Sequence, residues 1–141
     1  MVEARQGARG RMIELLLVAL GGAIGACGRF WLSGMVARRV GETFPWGTLV
    51  VNVTGALTIG LLAARFLTAE GVAEPGRQAW TGLVVGVLGS YTTVSSFSLQ
   101  TLALARAGEG RRAALNVIAS LGLCLGAALA GHQAGLRLFG G

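Results

Sequence analysis

The sequence predicts an all-α integral membrane protein with four transmembrane helices per subunit. Three observations carry this reading. Of the 141 residues, 53% are hydrophobic and 13% charged, against about 25% charged in a soluble domain. Four apolar segments reach the roughly 20 residues that a helix needs to cross the hydrocarbon, running from about Met12 to Ala37, Trp46 to Leu67, Gln78 to Leu104 and Ala113 to Leu138. The repeated strand alternation of a membrane barrel is missing.

Residues 1–11 read as a polar N-terminal tail, and 12–141 as one transmembrane domain with no internal repeat. On the first span, Glu14 sits at the entry, where a carboxylate suits the positive end of the helix dipole. Arg29 lies well inside the same segment. It is either a side chain snorkelling to the far interface or a buried cation that attracts an anion. Met1 to Gly28 has the basic, apolar, small order of a signal peptide, but the apolar run continues past Arg29 to Ala37. Gly41 to Pro45 forms a short loop, with Thr43 or Pro45 opening the second helix and Trp46 as its interface anchor. Thr68 to Arg77, containing Pro75 and Gly76, is the second loop, after which Trp80 anchors the third span.

The third span is predicted to break mid-membrane. Gly89, Ser90, Thr92, Thr93, Ser95, Ser96 and Ser98 crowd its centre. Lipid cannot satisfy free backbone groups, so such a break survives only where protein or a water-filled cavity covers it. That points to an ion or polar solute. Ala107 to Arg112 makes the last loop before the fourth span, where the lone His132 reads as a packed or interfacial imidazole.

Four short helices enclose little interior, so a polar pathway calls for a partner subunit. The 24 glycines agree, because small residues let membrane helices approach closely: Gly21, Gly25 and Gly28, then Gly55 and Gly60, Gly82, Gly86 and Gly89, and Gly122, Gly126 and Gly131. All 12 basic residues are arginine. Arg5, Arg9, Arg11, Arg65, Arg77 and Arg137 fall on one side of the membrane, and Arg38, Arg39, Arg106, Arg111 and Arg112 on the other. This balance sets no orientation. A chain that inserts both ways round closes naturally as an antiparallel, dual-topology homodimer. The arginines form no stripe, which excludes nucleic acid as a partner. Cys27 and Cys124 lie within spans and read as free thiols. There is neither zinc nor haem spacing, nor a catalytic constellation, so the chain is not expected to be an enzyme.

Three polar sets lie at membrane depth. Thr48 and Asn52 share a face of the second span, as Asn116, Ser120 and Cys124 share one on the fourth. The third span adds its break. Such neutral donors can form a track that replaces an ion's water, or they can simply hold the bundle together at about 0.6 kcal/mol per contact. An anion is favoured over a cation. Glu14 is the one candidate carboxylate, while Asn, Ser and Thr donate hydrogen bonds and Arg29 favours negative charge. The electropositive ring edge of Phe97 stabilises an anion without trapping it.

Gly21-Gly-Ala-Ile-Gly-Ala-Cys-Gly-Arg29, Gly47-Thr-Leu-Val-Val-Asn52-Val-Thr-Gly55 and Gly89-Ser-Tyr-Thr-Thr-Val-Ser-Ser-Phe-Ser98 resemble the three signatures of the Fluc (CrcB-like) fluoride channels. They stand in the same order and cover nearly the whole chain. The resemblance implies a multi-pass protein of the cell (plasma or inner) membrane: an antiparallel homodimer whose two pores passively export fluoride and so protect against its toxicity. It also implies that Thr48 and Asn52 line the pore on the second helix. Phe97 is then the second ring of a phenylalanine pair, Ser96 lies near the break, and Ser120 sits on the polar track of the fourth helix. Arg29 matches the family's first-helix arginine. The carbonyls of Gly89 and Thr92, from both subunits, are implied to bind a structural sodium ion, which suits a hard cation's preference for oxygen. The chain departs from the pattern at Val94, where the first phenylalanine is expected, and at Asn116 and Cys124, where Tyr and Ser are.

Two other classes remain open. A proton-coupled exporter like the small multidrug resistance transporters would need a first-helix carboxylate, and Glu14 is the sole candidate. A structural or regulatory membrane subunit would move no ion at all.

Overall fold

In hydrocarbon every backbone N–H and C=O must find its partner within the protein, and this chain meets that demand with helices. The computed structural model describes residues 2–68, 71–72 and 76–139; Met1, Pro75 and the side chain of Arg5 lie outside the described residues. In chain order come α1 (Val2–Val40), α2 (Trp46–Phe66), a small hairpin of β1 (Leu67–Thr68) and β2 (Gly71–Val72), α3 (Arg77–Trp80), a π-helical segment (Thr81–Leu88), α4 (Gly89–Tyr91), α5 (Val94–Arg106) and α6 (Gly110–Phe139). Among the described residues, four helical stretches are long and apolar enough to span a membrane: Arg9–Val40, Trp46–Phe66, Arg77–Arg106 and Gly110–Phe139.

The boundaries differ from the sequence reading where helices outrun their apolar cores. Helix α1 begins at Val2, so residues 2–11 of the polar segment continue the first helix. It stops at Gly41, whose positive φ (+87°) only glycine adopts readily and whose N–H bonds to the Ala37 carbonyl at 2.9 Å. The last loop shrinks to Ala107, Gly108 and Glu109. Gly108 turns the chain at φ +79°, and the Glu109 N–H reaches back to the Leu104 carbonyl at 2.9 Å. Arg111 and Arg112 therefore belong to the first turn of α6. At the start of α2, the rings of Phe44 and Trp46 meet in a tilted contact, their centroids 4.7 Å apart.

Packing rests on backbone-to-backbone contact. The most extensive contact joins α2 to α6, and it has glycine on both sides. A methyl added at Gly60 would collide with the Ala128 carbonyl oxygen, and one at Gly131 with that of Leu57. Helix α1 lies against the π-helical segment in the same manner: a Cβ on Gly21 would sit 2.6 Å from the Gly82 oxygen. Gly122 and Gly126, by contrast, meet nothing within 4 Å.

Outside these seams the surface is apolar. Phe30 is 83% exposed and Ile118 69% exposed, while Val51 is the one large described side chain that is completely buried. Lipid tails are as apolar as such side chains, so exposure of this kind carries no aqueous penalty.

Candidate functional site

The third span leaves helical geometry between Tyr91 and Val94. Thr92 (φ −74°, ψ 156°) and Thr93 (φ −150°, ψ 121°) are both extended. Two residues of extended backbone free several main-chain groups, and the structure shows where most of them go. Asn52, on α2, answers both sides of Thr93: its Nδ2 donates to the Thr93 carbonyl at 2.9 Å, and its Oδ1 accepts from the Thr93 N–H at 2.8 Å. Thr93 in turn caps α5, its Oγ1 accepting from the Ser96 N–H at 3.1 Å. On the other flank Thr92 closes back on Leu88, with both its N–H (3.0 Å) and its hydroxyl (2.9 Å) directed to that carbonyl.

Proton bookkeeping at the cap fixes a donor. The Thr93 hydroxyl gives its hydrogen to the Ser96 Oγ at 3.2 Å. Ser96 thus accepts there and keeps its own hydroxyl hydrogen to donate elsewhere. Beside it opens a cavity of about 780 Å³ between α1, α2 and α5. Arg29 and Ser33 line it from α1, Thr48 and Val51 from α2, and Thr93, Ser96 and Gln100 from the third span. Glu42, from the loop after α1, is also on its wall.

The structure therefore divides the polar residues picked out from sequence. Arg29, Thr48 and Ser96 converge on the cavity. Asn52 lies behind it, engaged with the break. Asn116 is 2% exposed, and its Nδ2 donates to the Thr101 Oγ1 at 2.8 Å; that hydroxyl donates on to the Phe97 carbonyl at 2.7 Å. Asn116 accordingly brackets α6 to α5, with the buried Ser120 one turn along. The Phe97 ring is half-buried, whereas Val94 is 76% exposed on the outer face of α5. Glu14 does not line the cavity, and Cys27 and Cys124 are free thiols.

Sequence reasoning missed three features of the site. The capping role of Thr93 is one. Gln100 stands four residues beyond Ser96 and seven beyond Thr93, a spacing that places all three on one helix face and that was readable as such. The pairing of Thr54 with Tyr91, hydroxyl to hydroxyl at 2.9 Å, joins residues 37 apart in the chain, and no local pattern signals it.

A family model described as CrcB-like protein, Camphor Resistance (CrcB), matches residues 16–132. The chain belongs to this family. Its relatives include a protein called fluoride-specific ion channel FluC 2 from Rhodopseudomonas palustris (strain BisB18), 60% identical over 121 residues that cover 85% of this chain and 91% of that one. A fluoride-specific ion channel FluC from Opitutus terrae is 56% identical over 124 residues, 87% of this chain and 92% of its own. Another FluC 2, from Bradyrhizobium diazoefficiens, is 51% identical over 117 residues, 83% of this chain and 85% of its own. With its four spans, this CrcB chain is a multi-pass membrane protein. The matched region holds the break, the cavity-lining residues from Ala26 to Ala107 and the Asn116 bracket; Glu14 precedes it.

Proposed function

We propose that the chain is a fluoride-selective channel that lets the ion leave the cell down its gradient. The observation that carries this is the convergence of Arg29, Thr48 and the donating hydroxyl of Ser96 on one cavity whose wall is the interrupted span. A fluoride ion holds its water tightly, so a pathway must offer hydrogen-bond donors in exchange. Uncharged hydroxyls do this without the full charge that would hold the ion in place. Arg29 draws anions to the cavity, and Thr48 and Ser96 take over hydration. Asn52 keeps the backbone at Thr93 paired, so that it does not compete for the ion. The names of the relatives point to the same ion.

Two such copies, inserted in opposite senses, form the working unit in this reading, with two pores per antiparallel dimer. The small interior of one copy favours pairing. The carbonyls of Gly89 and Thr92 fit a structural sodium ion. The Thr93 N–H, which helical geometry would give to Gly89, is spent on Asn52; the Ser96 N–H, due to Thr92, is spent on the Thr93 hydroxyl. Both oxygens are left to hard-cation chemistry. When bound, sodium would supply positive charge beside the break.

Efflux from proteoliposomes followed with a fluoride-selective electrode tests the channel. Fluoride is expected to leave far faster than chloride, and equal rates would refute selectivity. The exporter alternative depends on Glu14, which lies away from the cavity; Glu14→Gln is expected to leave the flux intact.

A further inference from the structure

We propose that Thr101 is a positioning residue: clamped by Asn116, it fixes the rotation of α5 and with it the direction in which Ser96 faces the cavity. The proposal rests on the channel reading above. It starts from how little else holds α5 within one copy. Among the described residues of this 13-residue helix none is buried, and its contact with α2 is sparse. A helix with few buried contacts turns about its axis at little cost. Thr101 itself is set back from the cavity wall, whereas Ser96 is on it.

Two amides supply the restraint that packing lacks. Asn52 of α2 holds Thr93, the residue that caps α5, through two hydrogen bonds. About two turns further on, Asn116 of α6 donates from Nδ2 to the Thr101 Oγ1 at 2.8 Å. That contact leaves the Thr101 hydroxyl hydrogen to the Phe97 carbonyl at 2.7 Å. A threonine bonded back in this way bends its helix slightly, so one contact sets both the bend and the rotation. The two clamping helices behave as a single frame, because α2 and α6 share the most extensive contact of the fold, with glycine meeting carbonyl oxygen on both sides. Ser96 lies on the stretch suspended between the clamps. Its hydroxyl stands about 4 Å from the helix axis, so a turn of about 20° moves it about 1.4 Å. That exceeds the roughly 0.5 Å spread of hydrogen-bond lengths.

The test uses the full-length protein and two readouts. Thr101→Val keeps the shape of the side chain and removes the hydroxyl; Thr101→Ser keeps the hydroxyl. In liposomes, initial fluoride efflux is expected to fall about tenfold in the Val variant and to stay within about twofold of wild type in the Ser variant. The second readout follows rotation directly. With Cys27 and Cys124 replaced by alanine and Ser96→Cys as reporter, modification by a water-soluble thiosulfonate is expected to slow severalfold when Thr101→Val is added. Asn116→Leu, which removes the other half of the clamp, is expected to slow it equally, and this arm decides the matter if the Val variant fails to assemble. Wild-type efflux in Thr101→Val would overturn the proposal and leave the channel reading standing. Equal losses in the Val and Ser variants would overturn it too, since side-chain volume and not the hydroxyl would then matter. So would an unchanged modification rate, because α5 would not have turned. Absence of fluoride efflux from the wild type would defeat the channel reading, and the modification rates alone would then decide whether the clamp sets the rotation.

Discussion

Replacing Asn52 with leucine tests how the interrupted span is held. The side chain makes two hydrogen bonds to Thr93, at 2.9 and 2.8 Å, and leucine of similar size makes neither. If each bond behaves as an average contact between membrane helices, the loss is about 1 kcal/mol in total. If the N–H and C=O of Thr93 are left unsatisfied, each costs about 1–3 kcal/mol, and the loss is about 2–6 kcal/mol. The larger figure is expected, because Thr93 is only 7% exposed and water reaches it poorly. Equilibrium unfolding in mixed micelles measures the loss directly, with Asn52→Asp as a companion that keeps the acceptor for the Thr93 N–H and loses the donor. The leucine variant should be the less stable of the two, and both should conduct less fluoride than wild type. A leucine variant within about 0.5 kcal/mol of wild type would refute the idea that Asn52 holds the break.

Other perturbations separate the remaining claims. Val94→Phe should assemble normally, since the position is 76% exposed, and should raise fluoride-over-chloride selectivity severalfold, as ring contacts carry about 0.5–1.5 kcal/mol; flux ratios under matched gradients check it. Gly60→Ala should cost about 1–3 kcal/mol through overpacking against the Ala128 carbonyl, visible as a lower unfolding midpoint. Glu109→Gln should change stability by less than about 1 kcal/mol despite its 2.6 Å bond to Arg112, because the two side chains are 40% and 51% exposed.

The spans were readable because hydrocarbon length and apolar composition leave little choice, and the positions of Gly41 and Gly108 as helix stops follow from backbone sterics. Which polar residues meet was far less readable. Thr48 and Asn52 share a face, yet one lines the cavity and the other turns to Thr93, 41 residues away. Asn116, expected on an ion track, also ties α6 to Thr101, a contact that no spacing announces. Such pairings depend on helix rotation and crossing, to which periodicity is blind. The π-helical stretch Thr81–Leu88 has no compositional mark either, since its valines and glycines suit an ordinary membrane helix equally well. The extension of α1 through residues 2–11 is not legible in the composition, because polar residues suit irregular backbone equally well.

The grip of α2 on the third span has a mechanical result. Asn52 holds it at the far end of the interruption, and Thr54 holds Tyr91 just before, three hydrogen bonds in all. A kink fastened on both shoulders by one neighbour behaves as a welded elbow: flexing it means parting all three bonds at once or dragging α2 along. Amide exchange at Thr93 should consequently be as slow as in the middle of α2, and the two halves of the span should travel as a single piece.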